Sequence, residues 1–203
     1  MISIHGQIKY GRFRAPESDA MGAFRYMPFM QCRHGVISMR HDISGVLNVN
    51  GREHCFDGGE GYIETDWESS FPSGYIWTRL SGHDGVNNIS IMAMAADIPM
   101  VGTHFKGCIA IVCVNEREYR LATYNRAKIL KYEKRAPTIR RGRYTLEINA
   151  SPDSAPKLFA PANGQMSREI RESACCEVTA RFFANNDSIF SLKDSRAGFE
   201  YVG

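Results

Sequence analysis

Short apolar or alternating runs, each followed by a turn signal, recur roughly every eight to twelve residues along the whole chain. The clearest signal is Asn50-Gly51, which separates the run from Ile43 to Val49 from the run Arg52 to Phe56 and is typical of a tight hairpin. In an antiparallel protein each such run is one strand. The sequence therefore predicts an all-β fold, either an antiparallel β-barrel or a strongly curved sandwich.

One segment fits two structures. Met166, Ile170, Ala174 and Val178 recur every four residues, as they would along one face of a helix. The run from Cys176 to Phe182 alternates instead, as a strand does. We predict a strand for the second half and leave one short helix open for the first.

Composition and short motifs narrow the function classes. The net charge of +3 is too small and too evenly spread to indicate a nucleic-acid or anionic-lipid partner, and no apolar run approaches the length of a membrane span. The six cysteines form no CxxC pair and stand at no zinc-like spacing from histidine, so we expect reduced thiols, a cytoplasmic protein and no metal site. No P-loop, dinucleotide-binding glycine motif or GxSxG elbow occurs, and no cofactor is expected.

A longer run carries a family resemblance. The stretch from Gly61 to Pro72, GYIETDWESSFP, closes with Tyr75-Ile76-Trp77 and resembles the signature of the tocopherol cyclase-like family. Two positions differ from the usual family pattern, which has Lys at Thr65 and Gly at Glu68. Other stretches are also similar to that family: Met27 to Cys32, His34 to Met39, Tyr119 to Asn125 and Gly164 to Ser173.

The resemblance implies a calycin-like, lipocalin-type β-barrel related to the carotenoid hydratase-like proteins. Family members usually carry a further β lobe ahead of the matching part. Residues 1–203 are therefore expected to form a single β domain equivalent to the C-terminal lobe. The plant members close a chromanol ring by protonating a prenyl double bond, so the expected ligand is a lipophilic, prenylated or terpenoid-like small molecule.

Two carboxylates in the family-like run are candidates for the acid. On a strand from Tyr62 to Trp67, Glu64 and Asp66 share one face. If that face lines an apolar cavity, the two charges cannot both ionise cheaply, and one group keeps a proton that can be donated to an alkene. The alternative is a solvent-facing pair bound to Arg79 or Arg120, with the opposite, more apolar face in the core.

Five further side chains are candidates for ligand binding. The rings of Tyr75, Trp77 and Tyr124 could stabilise a developing cation, and Arg120 could fix a polar head group. Trp67 and Trp77 could line a pocket or simply fill the core. Arg120 and Tyr124 could equally form a salt bridge and a buried tyrosine within the fold.

The histidines give a weaker signal. His34 and His41 could be proton carriers or metal ligands. They fall on opposite faces of a regular strand, so a metal site is not expected and a structural role is favoured for both.

Three functions remain open at this point. The first is a cofactor-independent cyclase or hydratase. The second is a carrier that holds a lipophilic molecule in the mouth of the barrel. The third is a structural or assembly domain that packs against a partner lobe or a second copy, because an unpaired sheet edge seeks pairing.

Overall fold

The computed structural model describes residues 1–28, 30, 32–100, 103–152 and 156–203. Phe29 and Gln31, which belong to the family-like stretch from Met27 to Cys32, lie outside the described residues. Two short 3-10 helices, Gly22–Tyr26 and Thr123–Asn125, accompany the strands. The strands are β1 (Ile4–Tyr10), β2 (Cys32–Val49), β3 (Arg52–Cys55), β4 (Gly59–Glu68), β5 (Tyr75–His83), β6 (Asn88–Met100), β7 (Thr103–Val114), β8 (Arg117–Ala122), β9 (Lys128–Lys131), β10 (Thr138–Arg141), β11 (Tyr144–Ser151), β12 (Lys157–Ala162), β13 (Gln165–Ala184) and β14 (Asp187–Val202).

Two antiparallel sheets make up the described part of the chain. In the four-stranded sheet, β2 pairs with β1, β3 and β4. The ten-stranded sheet has the order β8-β7-β6-β5-β14-β13-β11-β10-β9, and β12 pairs with β13. This confirms the all-β prediction, in the form of a curved, lipocalin-like sandwich. Among the described residues, no helix has the length and apolarity needed to cross a bilayer.

The main hydrophobic core lies on one face of the ten-stranded sheet. Leu146 and Ile148 on β11 face this core, as their alternation predicts. Val178 and Phe182 on β13 join them, and each is fully buried. Burying a side chain of this kind contributes about 2 kcal/mol, so the strands with the clearest period of two also stabilise the fold strongly.

The other face of β5, β6, β7 and β8 supports a second layer. There the four-stranded sheet packs over Met92, Ile109 and Ile111, and Met39 of β2 joins the same cluster. Residues 11–28, here called the N-terminal strap, cover the rest of this face. The layer between the two sheets holds the cavity described below.

Side chains of β8 and the turn after it hold the strap in place. Arg120 donates hydrogen bonds to the backbone carbonyls of Ser18 and Asp19 at 2.8 and 2.7 Å. The hydroxyl of Tyr124 donates to the carbonyl of Ala20 at 2.9 Å. These two side chains therefore bind the protein's own backbone.

The segment that fitted two structures is a strand throughout. β13 runs unbroken from Gln165 to Ala184 and pairs with β14 along most of its length. The helical alternative for its first half is wrong. A spacing of four residues is also a multiple of the two-residue period of a strand, so Ile170 and Val178 can be buried in a sheet as well as on a helix.

The hairpin at Asn50-Gly51 is confirmed. Asn50 and Gly51 have φ angles of 52° and 87°, as a tight hairpin turn with two left-handed residues requires. The residues before it form one continuous strand, β2, where the sequence suggested two shorter runs. Irregularities in the pairing with β4, near Ser38, let this long strand bend.

Candidate functional site

Strands β2 and β4 bring a histidine against the two predicted carboxylates. His34 lies directly opposite Asp66 in the strand pairing, and its Nδ1–H donates to Asp66 Oδ1 at 2.8 Å. Its other ring nitrogen, Nε2, lies 3.5 Å from Oε2 of Glu64. Glu64 also accepts a hydrogen bond from the hydroxyl of Tyr62. One imidazole thus contacts both carboxylates on the inner face of β4.

The surroundings raise the pKa values of both His34 and Glu64. Only 5% of His34 is exposed, and burial by itself lowers the pKa of an imidazole. The hydrogen bond and charge of Asp66, together with the charge of Glu64, outweigh burial and raise the pKa of His34. Burial also raises the pKa of Glu64, although the charge of His34 and the hydrogen bond from Tyr62 partly oppose it.

The wall that faces this group belongs to the ten-stranded sheet. Directly paired residues of neighbouring strands share a face and form a continuous row. We call this set the cross-strand row; from β13 across β14, β5 and β6 to β7 it consists of Glu172, Glu200, Trp77, Met94 and Ile109. The row begins with two acids and ends with two apolar side chains.

Glu200 is a buried carboxyl within this row. It is 9% exposed and accepts a hydrogen bond from the hydroxyl of Tyr75. Burial raises the pKa of Glu200 to about 7, with the charges of Glu172, Asp66 and Glu64 acting in the same direction and the hydrogen bond from Tyr75 against it. Near neutral pH this carboxyl can therefore either give or take a proton.

Trp77 lies next to Glu200 and packs closely on the backbone. A Cβ atom at Gly198 would stand 3.0 Å from the indole ring, so a glycine leaves the space that the ring occupies. Within the described part of the chain, the indole nitrogen of Trp77 and Nε2 of His34 are buried without a hydrogen-bond partner. The indole N–H still lies near enough to Glu64 to lower its pKa.

Between the two walls lies a cavity of about 160 Å³ that both acidic groups line. It adjoins an apolar pocket of about 40 Å³, and His34 and Met94 border both spaces. Met21 and Phe24 of the strap and Ile98 of β6 line the apolar pocket. The space is large enough for several water molecules or part of a small ligand, with its polar and apolar ends separated.

The structure brings together four of the predicted site residues. Glu64 and Asp66 line the cavity from the four-stranded sheet, and Tyr75 and Trp77 line it from the ten-stranded sheet. Trp67 lies on the opposite face of β4 and is 66% exposed, so its interpretation as a core residue is wrong.

Arg120 and Tyr124 lie elsewhere, where they bind the strap. The outward pairing considered for the carboxylates is also wrong. Asp66 pairs with His34, and Arg120 forms its salt bridge with Glu118 at 2.8 Å.

Two residues of the site were not predicted. For His34 a structural role was favoured over that of a proton carrier, because His34 and His41 fall on opposite faces of a regular strand. Its partner, Asp66, becomes known only from the pairing of β2 with β4. Glu200 interrupts the otherwise apolar or aromatic run from Phe199 to Val202, and a single acid in such a run was the available signal. Among the described residues, no group of three or more His, Cys, Asp or Glu side chains is arranged to hold a metal ion.

Comparison with known proteins adds information on architecture. No family model matches the sequence, and no curated protein matches it. Several solved structures are similar in fold. Kievitone hydratase from Nectria haematococca aligns with a TM-score of 0.51 at 13% identity, over 84% of this chain and 53% of that one. CghA aligns with a TM-score of 0.56 at 11% identity, over 98% of this chain and 62% of that one.

The likeness shows the fold. This chain spans little more than half the length of either protein. At this level of identity the comparison shows a shared β architecture.

Proposed function

We propose that the protein binds a lipophilic, prenylated or terpenoid-like small molecule between its two sheets and adds water, or an internal hydroxyl group, across a carbon–carbon double bond. The observation that carries this proposal is the position of Glu64 and His34. Both groups line a cavity whose other end is apolar. A proton donor beside a pocket for an alkene is the arrangement that acid-catalysed hydration or ring closure requires.

In the proposed reaction Glu64 is the proton donor. Its carboxyl proton forms a new C–H bond with the electron pair of the double bond, which leaves a carbocation on the neighbouring carbon. The ring of Trp77, on the facing wall, stabilises that cation. A water or hydroxyl oxygen then forms the C–O bond and releases a proton, so that the net change for hydration is alkene plus water to alcohol.

His34 and Asp66 keep the donor supplied. Asp66 orients the imidazole through the 2.8 Å hydrogen bond, and this contact raises the pKa of His34 against the lowering effect of burial. Nε2 of His34 faces Glu64 at 3.5 Å and can return a proton to it after each turnover. Asp66 is thus a positioning residue, and His34 a proton carrier.

The similar fold of kievitone hydratase supports a reaction of the hydration type. It does so as an analogy between architectures, because the identity is 13%.

The test is incubation of the full chain with kievitone and a panel of other prenylated phenols in ¹⁸O-labelled water. We expect a product heavier by one labelled water, or an isomer of unchanged mass where a ring closes. Glu64→Gln should reduce turnover by about 100-fold or more. The matched control is Glu147→Gln, which changes an exposed carboxylate paired with Arg181 on the outside of the fold. Absence of turnover in the wild type, or full activity of Glu64→Gln, would refute the proposal.

A carrier without chemistry is the second candidate, favoured by the apolar lining of the pocket beside Met21 and Phe24. Mass spectrometry of small molecules released from gently purified protein tests it. In the Trp67→Phe variant, Trp77 is the remaining tryptophan, and a ligand in the cavity should change its fluorescence. Ligand binding with no turnover on any substrate of the panel would favour the carrier.

A further inference from the structure

We propose that Glu200 is a second catalytic group, which accepts the proton of the attacking water or hydroxyl from the wall opposite Glu64. This inference rests on the proposed function and extends it, because it assigns the second half of the reaction to a residue of the other sheet.

The two carboxyls reach the cavity from different sheets. Glu64 projects from β4 of the four-stranded sheet and Glu200 from β14 of the ten-stranded sheet, and both line the same space. A substrate held between them presents one face of its double bond to each carboxyl. The hydroxyl of Tyr75 fixes the Glu200 carboxyl through a hydrogen bond. Tyr75 is therefore a positioning residue for this group.

The cross-strand row places a second acid beside Glu200. Glu172 is its direct partner on β13, and two like charges at directly paired positions repel each other. Burial raises the pKa of Glu200 to about 7, and this repulsion acts in the same direction. Titratable or charged groups from the surrounding elements also face this carboxyl or its partner Tyr75: Glu64, Asp66, Cys32, His34 and Arg168.

The proton transfers balance across the two walls. Glu64 loses its proton to carbon, and the oxygen nucleophile loses its proton to ionised Glu200 as the C–O bond forms. Glu200 then releases that proton to solvent, and His34 reprotonates Glu64. Because donor and acceptor stand on opposite walls, the new hydrogen and the new oxygen add to opposite faces of the double bond.

The experiment separates the two halves of the reaction in heavy water. Protonation of the alkene by Glu64 is reversible, and rotation about the C–C single bond of the cation lets the ionised carboxylate remove the original hydrogen in place of the added deuterium. The recovered substrate should therefore exchange its vinylic hydrogen for deuterium even when no nucleophile is captured. We expect Glu200→Gln to reduce product formation by about 100-fold or more while vinylic exchange continues. Glu64→Gln should lose both. The control Glu177→Gln alters an exposed carboxylate of β13 that is paired with Lys193.

A milder variant keeps the carboxyl in place. In the wild type the rate should rise with pH through about 7, as Glu200 ionises. Tyr75→Phe removes a hydrogen bond that lowers the pKa of Glu200, so this limb should move to higher pH with little change in KM. Glu200→Gln should lack the limb altogether.

The outcomes are distinguishable. A wild type that neither exchanges nor forms product refutes the proposed function, and the role of Glu200 with it. If the wild type is active, three results for Glu200→Gln would refute the role of Glu200 while leaving the proposed function standing. The variant could form product at the normal rate, lose vinylic exchange together with product formation, or keep the wild-type pH limb.

Discussion

His34 and Asp66 occupy directly paired positions of β2 and β4, with 2.8 Å between Nδ1 and Oδ1. The carboxylate can only accept a hydrogen bond, so Nδ1 carries a proton and Nε2 faces Glu64. This one contact fixes the orientation of the ring and the position of its proton, and it raises the pKa of His34 against the lowering effect of burial.

We expect Asp66→Asn to lower the pKa of His34, because the charge that opposes burial is then lost. A smaller fraction of the imidazole should then carry a charge at neutral pH, and turnover should fall by about 100-fold. NMR titration of the His34 ring resonances measures the pKa directly. Asp187→Asn, at the exposed first residue of β14, is the control. An unchanged His34 titration would mean that Asp66 does not set its charge.

The stability of the protein should depend on pH through Glu200. Its pKa is raised from 4.5 to about 7 in the folded protein, so its contribution to stability is fully present below pH 4.5 and is lost as the pH rises through 7. One pKa unit corresponds to about 1.4 kcal/mol, which makes the full loss on the order of 3 kcal/mol.

Glu200→Gln should remove that loss. We expect the variant to gain on the order of 3 kcal/mol over the wild type in the free energy of unfolding at about pH 8.5, and to gain nothing at about pH 4.5. Urea unfolding at both pH values provides the measurement, with Glu177→Gln as the control. An equal difference at the two pH values would contradict the assignment.

The strap should loosen when Arg120 is replaced. Arg120→Met removes the hydrogen bonds to the carbonyls of Ser18 and Asp19, and hydrogen bonds from a charged group contribute about 2 kcal/mol. We expect a loss of that order in the free energy of unfolding and faster limited proteolysis within residues 11–28. Arg117→Met, on the same strand but exposed, should behave like the wild type. Equal proteolysis of the two variants would show that Arg120 does not hold the strap.

The fold could be predicted from local signals because each strand carries its own. Asn50-Gly51 specifies its turn through backbone angles, and the alternation through Leu146 and Ile148 specifies the inner face of β11. The first half of β13 stayed ambiguous, since a spacing of four residues suits a helix and a strand equally. Only pairing with distant strands decides between them.

The site was less accessible to prediction because it forms between sheets. Alternation showed that Glu64 and Asp66 share a face, but it did not show which face of the strand is covered. The apolar character of Ile63 and Trp67 favoured burial of the opposite face, whereas Trp67 is exposed. Glu200 reaches the site because β14 pairs with β5, a strand that is distant from it in the sequence. Arg120 and Tyr124 show the converse: their pattern suits a ligand head group, yet their partners are backbone carbonyls of the strap.

The cross-strand row also has a defined length. Neighbouring strands lie about 4.8 Å apart, so the four steps from Glu172 to Ile109 measure roughly 19 Å. If the proposed ligand lies along this row, it contacts acidic side chains on one side of Trp77 and apolar side chains on the other. The length of the ligand then determines how many strands it contacts. Exchanging one side chain of the row would move the boundary between acidic and apolar side chains by one strand spacing. We therefore expect this sheet to discriminate between proposed ligands by the length of their hydrocarbon chains.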